Sequence, residues 1–285
     1  MFPRRAGNAK RVPLANPQPR QRSLIIPRSS HKSPKASHLS SSQHFAAEPR
    51  LRRKVGLITG GNRGIGLAIA RALAKEGCDL IITGRHRGSL QKASRELAHF
   101  GIRVVAEACD VRDRCSVEAL VATVKKQFRR LDILINNAGV AHANLNVAEL
   151  PVEDWKEVID TNLTGTFLVT RAALPLMKRG GTIVNNLSIA AKRVFAGSSA
   201  YNASKHGALG LTDTLREELR PKGIRVIALL PGATDTDIWN TLWPDAARKE
   251  MMTPETIATA VVNALVLPEN STVEELTILP TAGTL

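Results

Sequence analysis

Tyr201 and Lys205 are the residues whose types and spacing most plainly suit chemistry. Positions four apart on a helix share a face, about one turn from each other. A phenol and an ammonium would then stand side by side. A free tyrosine keeps its proton until about pH 10. A fixed cation favours the phenolate, so Lys205 is expected to draw the Tyr201 pKa down. A fall of ~3 units corresponds to about 4 kcal/mol and would let Tyr201 give and take a proton near neutrality. The same spacing is common on solvated helix faces, so its weight depends on what surrounds it.

Several elements must carry that pair. Residues 54–59 form an apolar run, Gly60-Gly61-Asn62-Arg63-Gly64-Ile65-Gly66 follows, and residues 67–76 have helical periodicity. Strand, glycine-rich turn and helix are the setting of a nucleotide-phosphate loop, where the backbone can approach a diphosphate at a helix N-terminus. The glycine spacing is neither G-x-G-x-x-G nor that of a P-loop. A second strand over 79–84 completes a βαβ unit. Doubly wound folds often place an acid at its end, on the ribose 2′-hydroxyl. Arg85 and Arg87 stand there instead. A guanidinium matches a 2′-phosphate, so NADP(H) is expected over NAD(H), with Arg63 as a further contributor.

Further strands are expected at 103–108, 131–135, 181–187, 224–230 and 273–279, with helices at 116–128, 155–178, 201–220 and 254–267. Pro175 should bend or end the helix over 155–178. Continuous apolar strands alternating with helices predict an α/β fold, a doubly wound parallel sheet of seven strands in one domain. Asp110 and Val111, Asn136-Asn137, Ser188 and Pro231-Gly232 all follow strands. Ligands in such sheets bind beyond the strands' carboxyl ends, so one edge collects every suspect residue.

The net charge of +15 belongs mostly to the first 54 residues, which hold 13 Lys/Arg and one acid, Glu48. The rest of the chain is close to neutral, so a nucleic-acid partner is not expected. Residues 1–50 are basic, Ser/Pro-rich and poor in aromatics, and read as a disordered extension. It is a solvated tail, the product of an early start codon, or a transit peptide to a mitochondrion or plastid. No apolar run reaches the ~20 residues of a bilayer span. Cys78, Cys109 and Cys115 lack metal-ligand spacing, so no metal is expected. They read as reduced core thiols in a cytoplasmic protein.

With these motifs in order, residues 53–280 resemble the short-chain dehydrogenase/reductase family, in its single-domain branch with 3-oxoacyl reductase-like members. Thr59-Gly60-x-x-x-Gly64-Ile65-Gly66 matches its cofactor loop and Asn136-Asn137-Ala138-Gly139 its strand-end motif. Asn162, Ser188, Tyr201 and Lys205 match its catalytic tetrad, and Pro231-Gly232 with Thr236 its motif near the nicotinamide. The resemblance implies that Tyr201 is the acid/base and that Ser188 holds the carbonyl oxygen. It implies that Lys205 lowers the tyrosine pKa and binds the ribose, and that Asn162 anchors a water. It places Gly60, Arg63, Gly64, Ile65 and Gly66 along the cofactor's diphosphate and adenosine, Arg85 at the 2′-phosphate, Asp110 and Val111 at adenine, and Asn137 near the ribose. It also implies a homodimer or homotetramer. Ala190-Ala191 departs from the glycine that relatives often carry after the serine.

Residues 233–252, with Trp239, Leu242, Trp243, Met251 and Met252, are the expected lid, suited to an uncharged, partly apolar carbonyl or alcohol. The expected activity is NADP(H)-dependent interconversion of a carbonyl and a secondary alcohol. The rival expectation is a non-catalytic NADP(H)-binding scaffold or sensor, which would not need the Tyr201–Lys205 pair.

Overall fold

In the computed structural model, which describes residues 48–283, the apolar runs form seven strands. They are β1 (Val55–Thr59), β2 (Asp79–Gly84), β3 (Val104–Ala108), β4 (Leu131–Asn136), β5 (Met177–Asn186), β6 (Arg225–Pro231) and β7 (Glu275–Ile278). All pair in parallel, in the order β3-β2-β1-β4-β5-β6-β7. The order reverses between β1 and β4, which opens a crevice at their carboxyl ends.

Strand side chains alternate between faces, and both faces are apolar. Ile58, Ile82, Ile135 and Leu229 point to one side. There they meet helices α1 (Gly64–Lys75), α2 (Arg87–Ala98) and, later in the chain, the helix over Pro254–Leu265 through Ile69, Leu73, Leu90, Leu97, Ile257 and Val261. Their neighbours Leu57, Ile81, Leu134 and Val226 point to the other side. They pack on α3 (Arg114–Phe128) through Leu120, on the helical segment over Gly165–Ala173 through Val169, and on the long helix over Ser199–Leu219 through Leu215. Each Leu or Ile fully buried this way contributes roughly 1.5–3 kcal/mol.

The expected helix over 155–178 is four segments instead. They are α4 (Val152–Ile159), a π-helical turn (Asp160–Thr164), α5 (Gly165–Ala173) and a 3-10 turn (Leu174–Leu176). Pro175 stops the helix early, and β5 begins at Met177, paired with Leu131. The β4–β5 register then slips between Leu131 and Ile133, where Gly180 takes φ +82° and turns the chain. The π turn shows in the Gly165 amide, which donates to the Asp160 carbonyl five residues back. Helix α2 was not expected. Its only sequence signal is Leu90, Ala93 and Leu97 on one face of an otherwise polar segment.

The long helix, α6 (Ser199–Leu219), carries Tyr201 and Lys205 in its first two turns. A four-residue helix, α7 (Trp239–Leu242), interrupts the lid, and α8 (Pro254–Leu265) follows it. Cys78 and Cys109 are buried, but Cys115 is exposed, against expectation. It lies in the first turn of α3, ahead of the Val117-Leu120-Val124 face. Of the expected 1–50 extension, only residues 48–50 fall within the described part; there the Arg50 guanidinium pairs with Glu76 at 2.5 Å. Among the described residues no helix is long and apolar enough to cross a membrane.

Candidate active site

One cleft of about 1090 Å³ runs along the carboxyl ends of the strands. At one end lies the glycine turn. Gly60 (φ +62°) and Gly64 (φ +52°) hold backbone conformations that other residues rarely adopt. Helix α1 then starts at Gly64 with no side chain capping it, whereas Asp113 caps α3 and Thr253 caps α8. Uncapped first-turn amides and the positive end of the helix dipole suit an anion.

Gly60, Arg63, Gly64, Ile65, Arg85, Asp110, Val111, Asn137, Pro231, Gly232 and Thr236 all line this cleft, as do Ser188, Tyr201 and Lys205. Two expected site residues do not. Gly66 lies under the turn, where a Cβ would run into the Gly60 carbonyl oxygen and Asn137 Nδ2. That position requires close packing of the helix start on the turn. Asn162 is 2% exposed and sits in the π turn behind the cleft. Its Nδ2 donates to the Val140 carbonyl (2.9 Å) and to Ser204 Oγ (3.0 Å), and its Oδ1 accepts from the Val140 amide (2.9 Å). It therefore braces the loop after β4 against α6.

The strand-end asparagines form a ladder. Asn137 Nδ2 donates to the carbonyls of Thr59 (2.9 Å) and Gly60 (3.1 Å), and Asn137 Oδ1 accepts from Asn186 Nδ2 (2.8 Å). One layer deeper, Asn136 Nδ2 donates to Asn185 Oδ1, and Asn185 Nδ2 to Thr212 Oγ1 on α6. Side-chain amides thus tie the turn after β1 to the helix bearing Tyr201. Asn185-Asn186 repeats Asn136-Asn137 one strand over, in register. That repetition is the sequence signal by which Asn186 could have been found.

At the far end, Ser188 opens a 3-10 turn over Ile189–Ala191, and its side chain lines the cleft together with Tyr201. Lys205 Nζ stands 5.5 Å from the centre of the Tyr201 ring and donates to the Asn186 carbonyl at 3.2 Å. The expected direction of the Tyr201 shift is corrected here. Burial raises its pKa above the ordinary value, and the neighbouring Ser188 hydroxyl only partly offsets this. The ammonium lies against the ring, and burial weakens Lys205 as a cation as well, lowering it from 10.5 to about 8. The low dielectric costs each charged form more than the pair recovers.

The lid divides. Trp239, Leu242 and Trp243 line the cleft, while Met251 is buried and Met252 packs on the core beside α8. Arg248 ties the two halves, donating to Asp235 Oδ1 (2.6 Å), the Thr236 carbonyl (2.9 Å) and Asn240 Oδ1 (2.6 Å). Phe195 and exposed Val194 face the cleft from the segment before α6. Arg63, expected near the 2′-phosphate, bridges to Asp237 of the lid at 3.3 Å. Arg85 bridges to Glu157 of α4 at 3.3 Å, a cleft residue that had not been expected. The Asp110 carboxylate is engaged by Arg112, whose guanidinium holds its pKa below the usual range.

A parallel sheet with a glycine-turn crevice and a Tyr/Ser/Lys cluster at its far end defines a nucleotide-dependent oxidoreductase of the doubly wound class. Residues 54–247 match the short chain dehydrogenase family, and the chain belongs to it. An uncharacterized oxidoreductase of Bacillus subtilis is 36% identical over 218 residues, covering 76% of this chain and 84% of the relative. The alcohol dehydrogenase of the archaeon Thermococcus sibiricus, solved with 5-hydroxy-NADP, superposes with a TM-score of 0.75 at 33% identity, over 80% of this chain and 97% of that one. A short chain dehydrogenase of Burkholderia cenocepacia, solved with NADP, gives 0.75 at 34% identity, over 82% and 99%.

Proposed function

We propose that this oxidoreductase interconverts a carbonyl and a secondary alcohol with NADP(H), Tyr201 serving as acid/base. The observation that carries the proposal is the grouping of Ser188, Tyr201 and the buried Lys205 on one cleft that also holds the glycine turn. The chain's features fit a nicotinamide dinucleotide. They include the uncapped start of α1 and the buried Asn186 Oδ1, which has no protein partner and belongs to a cleft-lining residue. Gly60, Gly64 and Ile65 would hold the diphosphate, Arg85 a 2′-phosphate, and Asp110 and Val111 the adenine. The solved relatives with NADP-type ligands support that choice over NAD(H).

The bound cofactor would supply the hydride. Tyr201 keeps its proton well above neutrality, so it is poised to donate from Oη as negative charge builds on a substrate oxygen. Ser188 Oγ aims a second hydrogen bond at that oxygen, and both interactions strengthen toward the transition state. Lys205 steadies the developing tyrosinate. Asn162 holds α6 and the loop after β4 at a fixed separation.

The substrate end is apolar. Val194, Phe195, Trp239, Leu242 and Trp243 line it, while Arg85 stands at the end of β2 and Arg63 is neutralised by Asp237. An uncharged carbonyl with an apolar body fits such walls. The test is NADPH oxidation against a panel of ketones, aldehydes and 3-oxoacyl thioesters. Turnover of neutral apolar ketones is expected, and its loss in Tyr201→Phe with cofactor binding retained. Cofactor binding without turnover of any member would instead favour the non-catalytic scaffold.

A further inference from the structure

We infer that Glu157 is a specificity-determining residue that competes with the cofactor's 2′-phosphate for Arg85, and so holds down the preference for NADP(H). This rests on the cofactor assignment above. Glu157 Oε1 lies 3.3 Å from Arg85 Nη1 and 3.4 Å from Arg112 Nη1, so one carboxylate oxygen serves two guanidinium groups. Arg112 is itself paired with Asp110 at 2.6 Å. The adenosine end thus holds two cations and two anions, already neutralised. Glu157, Arg85 and Asp110 all line the cleft.

A 2′-phosphate reaching Arg85 must take a guanidinium that Glu157 already holds. It must also approach that carboxylate, and like charges repel. A 2′-hydroxyl demands neither. Glu157 therefore costs NADP(H) affinity and spares NAD(H). The Arg85 and Glu157 side chains are 44% and 43% exposed, so solvent screens the contact and the exchange is cheap enough to occur on binding. When Arg85 turns to the phosphate, Arg112 retains Glu157, which keeps the displaced carboxylate paired. The device is a built-in competitor anchored on α4, one turn ahead of the π turn that holds Asn162.

The test is equilibrium binding of NADP+, NAD+, 2′,5′-ADP and 5′-AMP to wild type and Glu157→Gln, by titration calorimetry. Glu157→Gln should bind NADP+ and 2′,5′-ADP about three- to ten-fold more tightly, with NAD+ and 5′-AMP changed less than about two-fold. Glu153→Gln, at an exposed site on the same helix, should move neither, and adding Arg85→Ala should erase the gain. Wild type that binds NADP+, with an unmoved NADP+/NAD+ ratio in a folded Glu157→Gln, overturns this inference alone. Wild type that binds neither dinucleotide overturns the cofactor assignment with it.

Discussion

The two ends of the cleft handle charge in opposite ways. At the adenosine end, Arg85, Arg112, Asp110 and Glu157 form partly exposed pairs. Each partner there can be exchanged for a ligand group at small cost, because water screens the intermediate state. At the catalytic end, Lys205 is 6% exposed, and among the described residues no carboxylate pairs with it. There is no ion pair to exchange there, and the environment sets the group's acidity instead. In the proposed mechanism, recognition would draw on replaceable pairs, and proton transfer by Tyr201 on the one buried, unneutralised cation beside it.

Breaking the catalytic end should have the largest effect. Tyr201→Phe should lower turnover by about a thousand-fold or more while leaving the dissociation constant of NADPH nearly unchanged. Survival of activity would remove the phenol from the mechanism.

The next effect is on stability. Burial lowers Lys205 from 10.5 to about 8 in the folded chain. Between those values the unfolded chain binds more protons, so Lys205 makes stability rise with pH from about 8 to 10.5, and below 8 its burial cost is fully present. Lys205→Met should therefore be more stable than wild type at pH 7, by roughly 3 kcal/mol at most, with the gap closing toward pH 10.5. Parallel Tm-against-pH curves for the two proteins would show that Lys205 is not strained by burial.

At the exchangeable end the effects shrink. Arg85→Asp should move the NADP+/NAD+ preference toward NAD+ by about ten- to thirty-fold, since it removes a phosphate-binding guanidinium and adds an anion. An unchanged ratio would detach Arg85 from the cofactor. Smallest is the lid. Trp243→Ala should raise KM for apolar ketones by a few-fold, about 1 kcal/mol, with kcat little altered. A fall in kcat alone would mean that Trp243 positions the reacting carbonyl.

The sheet and the crevice were legible because they rest on local signals: apolar runs of strand length and glycines where the backbone must turn. Tyr201 and Lys205 were legible because a helix carries their spacing into space unchanged. The direction of the Tyr201 shift was not, since spacing says nothing about how much water the fold removes from both groups. Helix α2 was missed because its apolar stripe is only three residues wide. Glu157 was missed because its partners Arg85 and Arg112 lie 72 and 45 positions away, and only the sheet order brings them together. The break at Met177 depended on pairing with Leu131, which no local pattern announces.

The wide turn at Asp160–Thr164 adds a residue to what would otherwise be one continuous rod. Each residue of an α-helix advances the chain by about 100° around its axis. Deleting one position there would let the rod run straight and swing everything ahead of it by that angle. Asn162 and Glu157 could then no longer serve their separate partners at once, and brace and competitor would fall out of phase together. One lost residue would in that way unsettle the proposed nucleotide choice and proton delivery in a single stroke.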